Sequence, residues 1–207
     1  RPSTGSDAPP PAPSGPQVTK PTLTLPPKVV YDVIGTAAKN KSKLSFMRCF
    51  ILGLYAGFYI GFGGFFAMIV GGGTPGLNAN YPGLKKLLMG AVFPGGLVLV
   101  VLTGAELFTG NVMIMFIGAL QCKISMLQVT RNFVISYIGN FLGSIILAGM
   151  LAYGGNMFGK DPWLSFVRGV GYGKTHLNWW TAFFRAIGCN WLVCVAVTSA
   201  FIAQDVP

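Results

Sequence analysis

Of the 207 residues, 52% are hydrophobic and only 10% are charged, whereas soluble domains carry roughly 25% charged residues. With a mean hydropathy of +0.60, this composition indicates a membrane protein. The net charge of +10 does not indicate nucleic-acid binding, because many basic residues flank hydrophobic segments and no recognition motif accompanies them. The four cysteines show no Cys-x-x-Cys spacing, so neither a disulfide framework nor a metal site is predicted.

The N-terminal part of the chain divides into two segments. Residues 1–27 hold nine of the 14 prolines and are predicted to be disordered, either as a plain tail or as the end of an acid-poor organelle transit peptide. In residues 28–44, valine, isoleucine and alanine recur at helical spacing between flanking lysines. This pattern predicts an amphipathic helix on the membrane surface, followed by a transmembrane domain over residues 45–207.

Three long uncharged stretches predict ordinary spanning helices, because a bilayer needs about 20 apolar residues per helix. They run from Cys49 to about Val70, from Asn132 to about Tyr153 and from about Trp180 to Phe201. The first is followed by residues 71–83, which are rich in glycine and proline and predict a polar loop. The predicted fold class is therefore an all-α membrane protein.

The stretch between the first two of these helices is unusual. It runs for 36 residues, from Leu87 to Cys122, whereas two spans need about 40 residues and a turn. We therefore favour one span broken in the middle, with a half-helix to about Leu102 and a second from about Asn111, over two helices joined by a hairpin. Irregular backbone at that depth must be buried in protein or line a wet cavity.

Three polar residues near this break or before the last helix are candidates for function. Glu106, the only glutamate, requires a partner or a cavity; it either accepts backbone N–H groups and holds the loop, tunes a pore, or lies at headgroup level on a hairpin tip. The Thr109 hydroxyl can donate to an anion or bond back to its own helix. Lys174 would attract anions if it lay near a pore, and is otherwise an ordinary interfacial lysine.

Bulky apolar residues also lie near the break. Phe93, Leu97 and Leu107 are either hydrophobic constrictions, which gate by excluding water, or plain packing residues. The chain contains no nucleophile elbow, zinc-protease motif or phosphate loop. We therefore predict no enzymatic activity, no catalytic residue and no cofactor.

Several segments resemble the formate/nitrite transporter family in combination. They are Gly104-Ala105-Glu106-Leu107-Phe108-Thr109-Gly110-Asn111, Cys189-Asn190-Trp191-Leu192-Val193-Cys194, and the helix that begins Arg131-Asn132-Phe133. The resemblance covers residues 46–204. Between Val70 and Pro94 the sequence looks closest to the algal plastid branch, whose members move nitrite or bicarbonate across the chloroplast envelope.

This resemblance implies an aquaporin-like fold of two inverted three-helix halves, assembled as a homo-pentamer with one pore per protomer. By similarity, Leu107 with Phe93 and Leu97 would form the pore constrictions, and Thr109 and Lys174 would supply two of the three polar groups at the pore centre. Glu106 and Asn190 would tether the loops.

The third central group in the family is a histidine in a second broken span, within a Phe-Glu-His-x-x-Ala-Asn pattern. That span would follow residue 207. The chain is thus expected to hold about four of six spans, and residues 1–207 alone are not expected to conduct.

The leading hypothesis is a passive or proton-linked channel for small monovalent anions (nitrite, formate or bicarbonate) in the chloroplast envelope or a plasma membrane. Basic residues in the loops place the N-terminus on the cytoplasmic or stromal side. One alternative is a non-conducting regulatory subunit of such a pentamer. Another is an aquaporin-like channel for neutral solutes, although the paired Asn-Pro-Ala signature is missing.

Overall fold

The computed structural model describes residues 24–203. The predicted disorder of residues 1–27 therefore lies almost wholly outside the described residues. Within this part of the chain the structure is helical, and an isolated backbone bridge joins Thr24 to Ala203. The α-helices are α1 Pro27–Ser42, α2 Phe46–Gly73, α3 Pro75–Asn80, α4 Pro82–Val92, α5 Pro94–Thr103, α6 Phe108–Leu120, α7 Met126–Ala148, α8 Trp163–Thr175 and α9 Trp179–Ile202, and a π-helix, Gly149–Gly154, extends α7.

Among residues 24–203, four helices are long and apolar enough to cross a membrane: Phe46–Gly73, Pro82–Thr103, Met126–Gly154 and Trp179–Ile202. They confirm the all-α membrane fold. The most extensive packing joins α2 to α7, where glycines bring the two backbones together, as is common when helices pack in lipid. A Cβ on Gly139 would lie 2.9 Å from the Phe50 carbonyl oxygen and 3.0 Å from the Cα of Gly53, so the interface has no room for a side chain there.

Helix α1 packs against the end of this bundle. Its residues Val30, Ile34 and Ala38 are buried in a cluster with residues of α6 and α9, and its other face is exposed. The helix thus has the two faces expected of an amphipathic segment, and its apolar face packs against the rest of the protein. Its placement on the membrane surface remains a prediction.

Two connecting segments differ from the sequence-based expectation. The predicted polar loop at residues 71–83 is wrong, because α2 continues to Gly73 and the short helix α3 follows. Pro75 and Pro82 occupy the first turns of α3 and α4, where a missing N–H costs nothing. Helix α8 was not predicted; it is fixed to α2 by Trp163, whose Nε1 donates to the Ile69 carbonyl at 2.9 Å.

The break in the second hydrophobic stretch is confirmed, but its predicted position in the middle of one span is wrong, because the part before the break is longer than a half-helix. Phe93 keeps helical backbone angles (φ −59, ψ −40), so α4 continues into α5 and the combined helix is long enough to cross a membrane alone. Helix α6 has only 13 residues. Because α5 packs along α2 whereas α6 packs against α1, α7 and α9, the two do not form the alternative hairpin.

Candidate functional site

The backbone of the break begins with a Schellman motif at the end of α5. Gly104 has a φ of +66, which glycine adopts without strain. Its N–H donates to the Val101 carbonyl at 3.3 Å, and the Ala105 N–H donates to the Val100 carbonyl at 3.1 Å. These bonds satisfy two carbonyls that the helix end would otherwise leave unpaired.

Asn140 of α7 holds the rest of the break in place. Its amide nitrogen donates to the carbonyls of Gly53 at 2.8 Å and Glu106 at 2.9 Å, and its amide oxygen accepts from the Phe108 N–H at 2.8 Å. The Glu106 N–H donates to the Leu52 carbonyl at 3.2 Å. The loop is thus tied to both α2 and α7, and its backbone polar groups are paired as a buried segment requires.

The same contact explains where α6 begins. The predicted start at Asn111 is wrong, since the helix begins at Phe108. The Asn140 amide oxygen acts as a cap supplied by another helix, because it accepts a first-turn N–H that has no partner within α6. The non-helical break is therefore only Gly104 to Leu107.

The Glu106 carboxylate lies at the centre of a buried polar cluster. Its side chain is 2% exposed, and it forms an ion pair with the Lys41 ammonium of α1 at 2.6 Å. It also accepts from the side-chain amides of Asn111 at 2.7 Å and Asn132 at 3.0 Å. The partner predicted for this carboxylate is confirmed. The expectation of backbone N–H donors is wrong, because every donor found to the carboxylate within residues 24–203 is a side chain.

This cluster is internally complementary. Asn111 also donates to the Asn132 amide oxygen at 3.0 Å, so both asparagines are oriented by more than one bond. Two charges inside an apolar bundle are tolerated only when they are paired and hydrogen-bonded, and both carboxylate oxygens have donors here. The cluster therefore joins α1, the break, α6 and α7 into one unit.

A cavity of about 200 Å³ lies beside the break. Leu107, Lys41 and Asn111 contribute to its lining, and the side chains of α9 that close it, Val197 and Phe201, are apolar. Leu107 is 7% exposed and packs with Ala56, Val100 and Ala105. The arrangement offers a small, mainly apolar space with one cation and one amide at its edge.

The other predicted site residues lie elsewhere. Thr109 is half-buried on α6, and the predicted bond back to its own helix is not formed among the described residues. Lys174 is exposed in the last turn of α8. Asn190 of α9 contacts Cys194 in its own helix, with 3.7 Å between the amide nitrogen and Sγ, so it does not tether the break in this structure.

Two further predicted residues are placed in the second span. Phe93 is 40% exposed at the junction of α4 and α5. Leu97 is partly buried and packs against both apolar clusters, including the one that contains Leu107. The structure therefore brings Leu97 and Leu107 into the same apolar region and leaves Phe93 at its edge.

Sequence reasoning gave no role to the side chains that hold the break, Lys41, Asn111, Asn132 and Asn140. One signal was available, because Asn132 and Asn140 lie eight residues apart in an otherwise apolar helix. That spacing puts both on one helix face. Polar side chains within a membrane helix face the bundle interior and are candidates for function.

We expect Asn140→Leu to release the break without unfolding α7. Three backbone groups would lose their partner, and each unpaired buried group costs about 1–3 kcal/mol. Hydrogen exchange at the Phe108 amide should become about tenfold faster or more. Ser144→Ala is the matched control, since its hydroxyl donates to the Gly57 carbonyl one turn away; an equal effect of both variants would contradict this role for Asn140.

Comparisons with known proteins agree on one family. The sequence profile of the family described as "Formate/nitrite transporter" matches residues 28–207. The chain is 41% identical over 184 residues to a "Probable formate transporter" of Methanothermobacter thermautotrophicus, and the alignment covers 82% of this chain and 66% of that protein. The chain thus spans about two thirds of this relative's length.

Solved structures show the same relationship. An "FNT family ion channel" superposes with a TM-score of 0.74 at 28% identity, covering 83% of this chain and 68% of the other. A "Pentameric formate channel with formate bound" gives a TM-score of 0.66 at 33% identity, covering 77% and 62%. These similar proteins are described as channels and transporters rather than enzymes.

Proposed function

This chain belongs to the formate/nitrite transporter family, and we propose that the protein carrying it is a membrane channel for small monovalent anions. The observation that best supports the proposal is the broken second span, whose loop carries the buried Glu106 carboxylate, paired with the partly exposed Lys41 beside a small cavity. Irregular backbone at membrane depth is tolerated where it is buried in protein or lines a wet cavity, and this break adjoins a cavity. In this proposal Leu107 borders the path through each protomer.

The lining of the cavity supports selection for small solutes. Leu107, which lines the cavity, and Leu97, which packs against the same apolar cluster, narrow the path as hydrophobic constrictions, and such constrictions disfavour hydrated ions. A monovalent weak acid passes such a constriction most readily in its neutral, protonated form, so transport is coupled to protons. Thr109 would donate a hydrogen bond to the solute near the centre. Phe93 keeps its family-derived role as a constriction within this proposal. Asn190 keeps its role as a loop tether, although its contacts within residues 24–203 do not reach the break.

The candidate solutes are formate, nitrite and bicarbonate. Formate is named for both the archaeal relative and the pentameric channel, and it is the solute we put first. Nitrite is named in the description of the family. Bicarbonate, and a place in the chloroplast envelope, rest on the likeness of residues 70–94 to the plastid branch alone. Import of a fluorescent fusion into isolated chloroplasts tests that placement; a fusion that stays outside the envelope would contradict it.

A homo-pentamer in a lipid bilayer is the proposed assembly. One solved relative is described as pentameric, and α9 exposes a broad aromatic face in this protomer, including Trp179, Trp180 and Trp191. In the bilayer such a face is covered by lipid, by a neighbouring subunit or by other parts of the protein.

The function is tested by formate flux into liposomes that contain the complete protein carrying this chain. Flux should rise as external pH falls, because more of the solute is protonated. Lys174→Ala should lower flux at neutral pH several-fold, since an exposed cation raises the local anion concentration. Lys160→Ala is the control for a general loss of positive charge. Formate flux that does not change with pH and is not lowered by Lys174→Ala would contradict the proposal. Water permeability without formate flux would favour a neutral-solute channel.

A further inference from the structure

Lys85 is a buried cation far from the pore loop. It lies in the first turn of α4 and is 4% exposed, whereas the neighbouring Lys86 is exposed. From Lys85 to Thr103 the helical rise is about 27 Å, so Lys85 is at the opposite end of the span from the break. Nothing in the proposed transport path uses it.

The Lys85 ammonium has no anionic partner within residues 24–203. The ion pair formed in this part of the chain joins Lys41 to Glu106, and no hydrogen bond from the Lys85 ammonium is present there. Its one electrostatic contact is with the Phe166 ring of α8, whose centroid is 4.1 Å away. A ring face is a weaker partner for an ammonium than an anion is.

A cavity of about 610 Å³ adjoins this cation, between α2, α4 and α8. Gly71, Gly72 and Phe166 form apolar parts of its wall, and Asp161 and Ser165 are its other polar lining groups. The Asp161 carboxylate accepts from the Ser165 hydroxyl and from the Ser165 N–H. The Ser165 hydroxyl and N–H therefore already donate to Asp161. Among the side chains that line the cavity, the Lys85 ammonium is the hydrogen-bond donor left for a ligand.

The charges of the cavity favour a ligand with a single negative charge. The side-chain and backbone bonds from Ser165 hold the pKa of Asp161 below its ordinary value, so this residue remains a carboxylate down to acidic pH. Asp161 offsets part of the attraction of Lys85 for any anion. The desolvation cost of the ligand grows with the square of its charge, whereas its attraction to Lys85 only doubles, so a monoanion is favoured over a dianion.

We propose that Lys85 and the cavity between α2, α4 and α8 bind a singly charged oxyanion. The ammonium donates to the anion, and Phe166 holds the ammonium in position. Two sources share this chemistry, a free monocarboxylate such as formate and the phosphodiester of a lipid headgroup. The site is independent of the pore and stands whether or not the proposed channel conducts.

The test follows the lysine side chains directly by NMR. The protein is labelled with carbon-13 at the lysine ε position, and the resonances of Lys85 and Lys86 are identified by their loss in Lys85→Met and Lys86→Met. Formate is titrated into protein in a maltoside detergent, which lacks phosphate. In parallel, protein in phosphatidylglycerol nanodiscs is compared with protein in the detergent.

Saturable formate-dependent shifts at Lys85, with only a weak linear drift at Lys86, would support a site for the free anion. Formate binding measured calorimetrically should then weaken about tenfold or more in Lys85→Met and be unchanged in Lys86→Met. A Lys85 shift that appears only in the nanodiscs would assign the site to a lipid phosphodiester. No selective shift at Lys85 under either condition would overturn the proposal, and because the wild-type protein is observed, misfolding of a variant cannot mask that result.

Discussion

Replacing Glu106 with glutamine is expected to lower the free energy of unfolding by about 3 kcal/mol or more, because breaking a buried ion pair leaves the other charge uncompensated. Lys41 is 18% exposed and Glu106 only 2%, so the remaining ammonium can reach some solvent. This places the expected effect toward the lower end of the range for buried pairs. Glutamine also keeps a single acceptor where the carboxylate offers two oxygens to Lys41, Asn111 and Asn132.

A double-mutant cycle separates the pair from the individual residues. Lys41→Met should be comparably destabilising, since it leaves the Glu106 carboxylate buried without its cation. Lys41→Met combined with Glu106→Gln should cost clearly less than the sum of the two single variants, because neither charge then remains. Unfolding in mixed micelles of maltoside and dodecyl sulfate provides the free energies. Strictly additive effects would show that the two residues do not stabilise the protein as a pair.

Gly57→Ala is expected to disrupt the α2–α7 interface at a cost of about 3 kcal/mol, the upper end of the usual range for overpacking. A Cβ at this position would overlap the Asn140 carbonyl oxygen and lie 2.9 Å from the Ser144 nitrogen. Both are backbone atoms, so no side-chain rotation relieves the clash and α7 must move. Because Asn140 also holds the break, the movement should loosen the loop as well.

Gly64→Ala is the matched control in the same helix. A Cβ there meets nothing within 4 Å, and alanine is a better helix former than glycine by about 1 kcal/mol. We expect this variant to be neutral or slightly stabilising in the same mixed-micelle assay. If the two glycine variants lose equal stability, the effect belongs to glycine replacement in general and not to close packing of α2 on α7.

The helical framework could be predicted because hydrophobic length is a local property. The spans ending near Tyr153 and Phe201 needed only a count of uncharged residues, and the break needed only the mismatch between 36 residues and the length of two spans. The loop at residues 71–83 was misjudged because Pro75 and Pro82 mark helix starts as readily as turns. Local sequence alone does not distinguish a proline that starts a helix from a proline in a turn. The packing of α8 against α2 decides it here.

The polar cluster was beyond local patterns for a different reason. Lys41 is 65 residues from Glu106. In the sequence it looks like the other lysines of the amphipathic segment, so nothing local marks it as the partner of a buried carboxylate. Asn140 stabilises the loop through bonds to backbone atoms of α2 and of the break, which depend on helix packing. The roles given to Thr109, Lys174 and Asn190 came from family resemblance, and they stay predictions.

Formate flux through Leu107→Ala tests the central claim most directly, namely that the break lines the solute path. Leu102→Ala is the control, because Leu102 lies in the same span, is 63% exposed and is not among the residues that line the cavity. In liposomes containing the complete protein, Leu107→Ala should raise formate flux several-fold by widening an apolar constriction, and Leu102→Ala should leave it unchanged. An absence of formate flux in the unmodified protein, or equal responses of the two variants, would contradict the account.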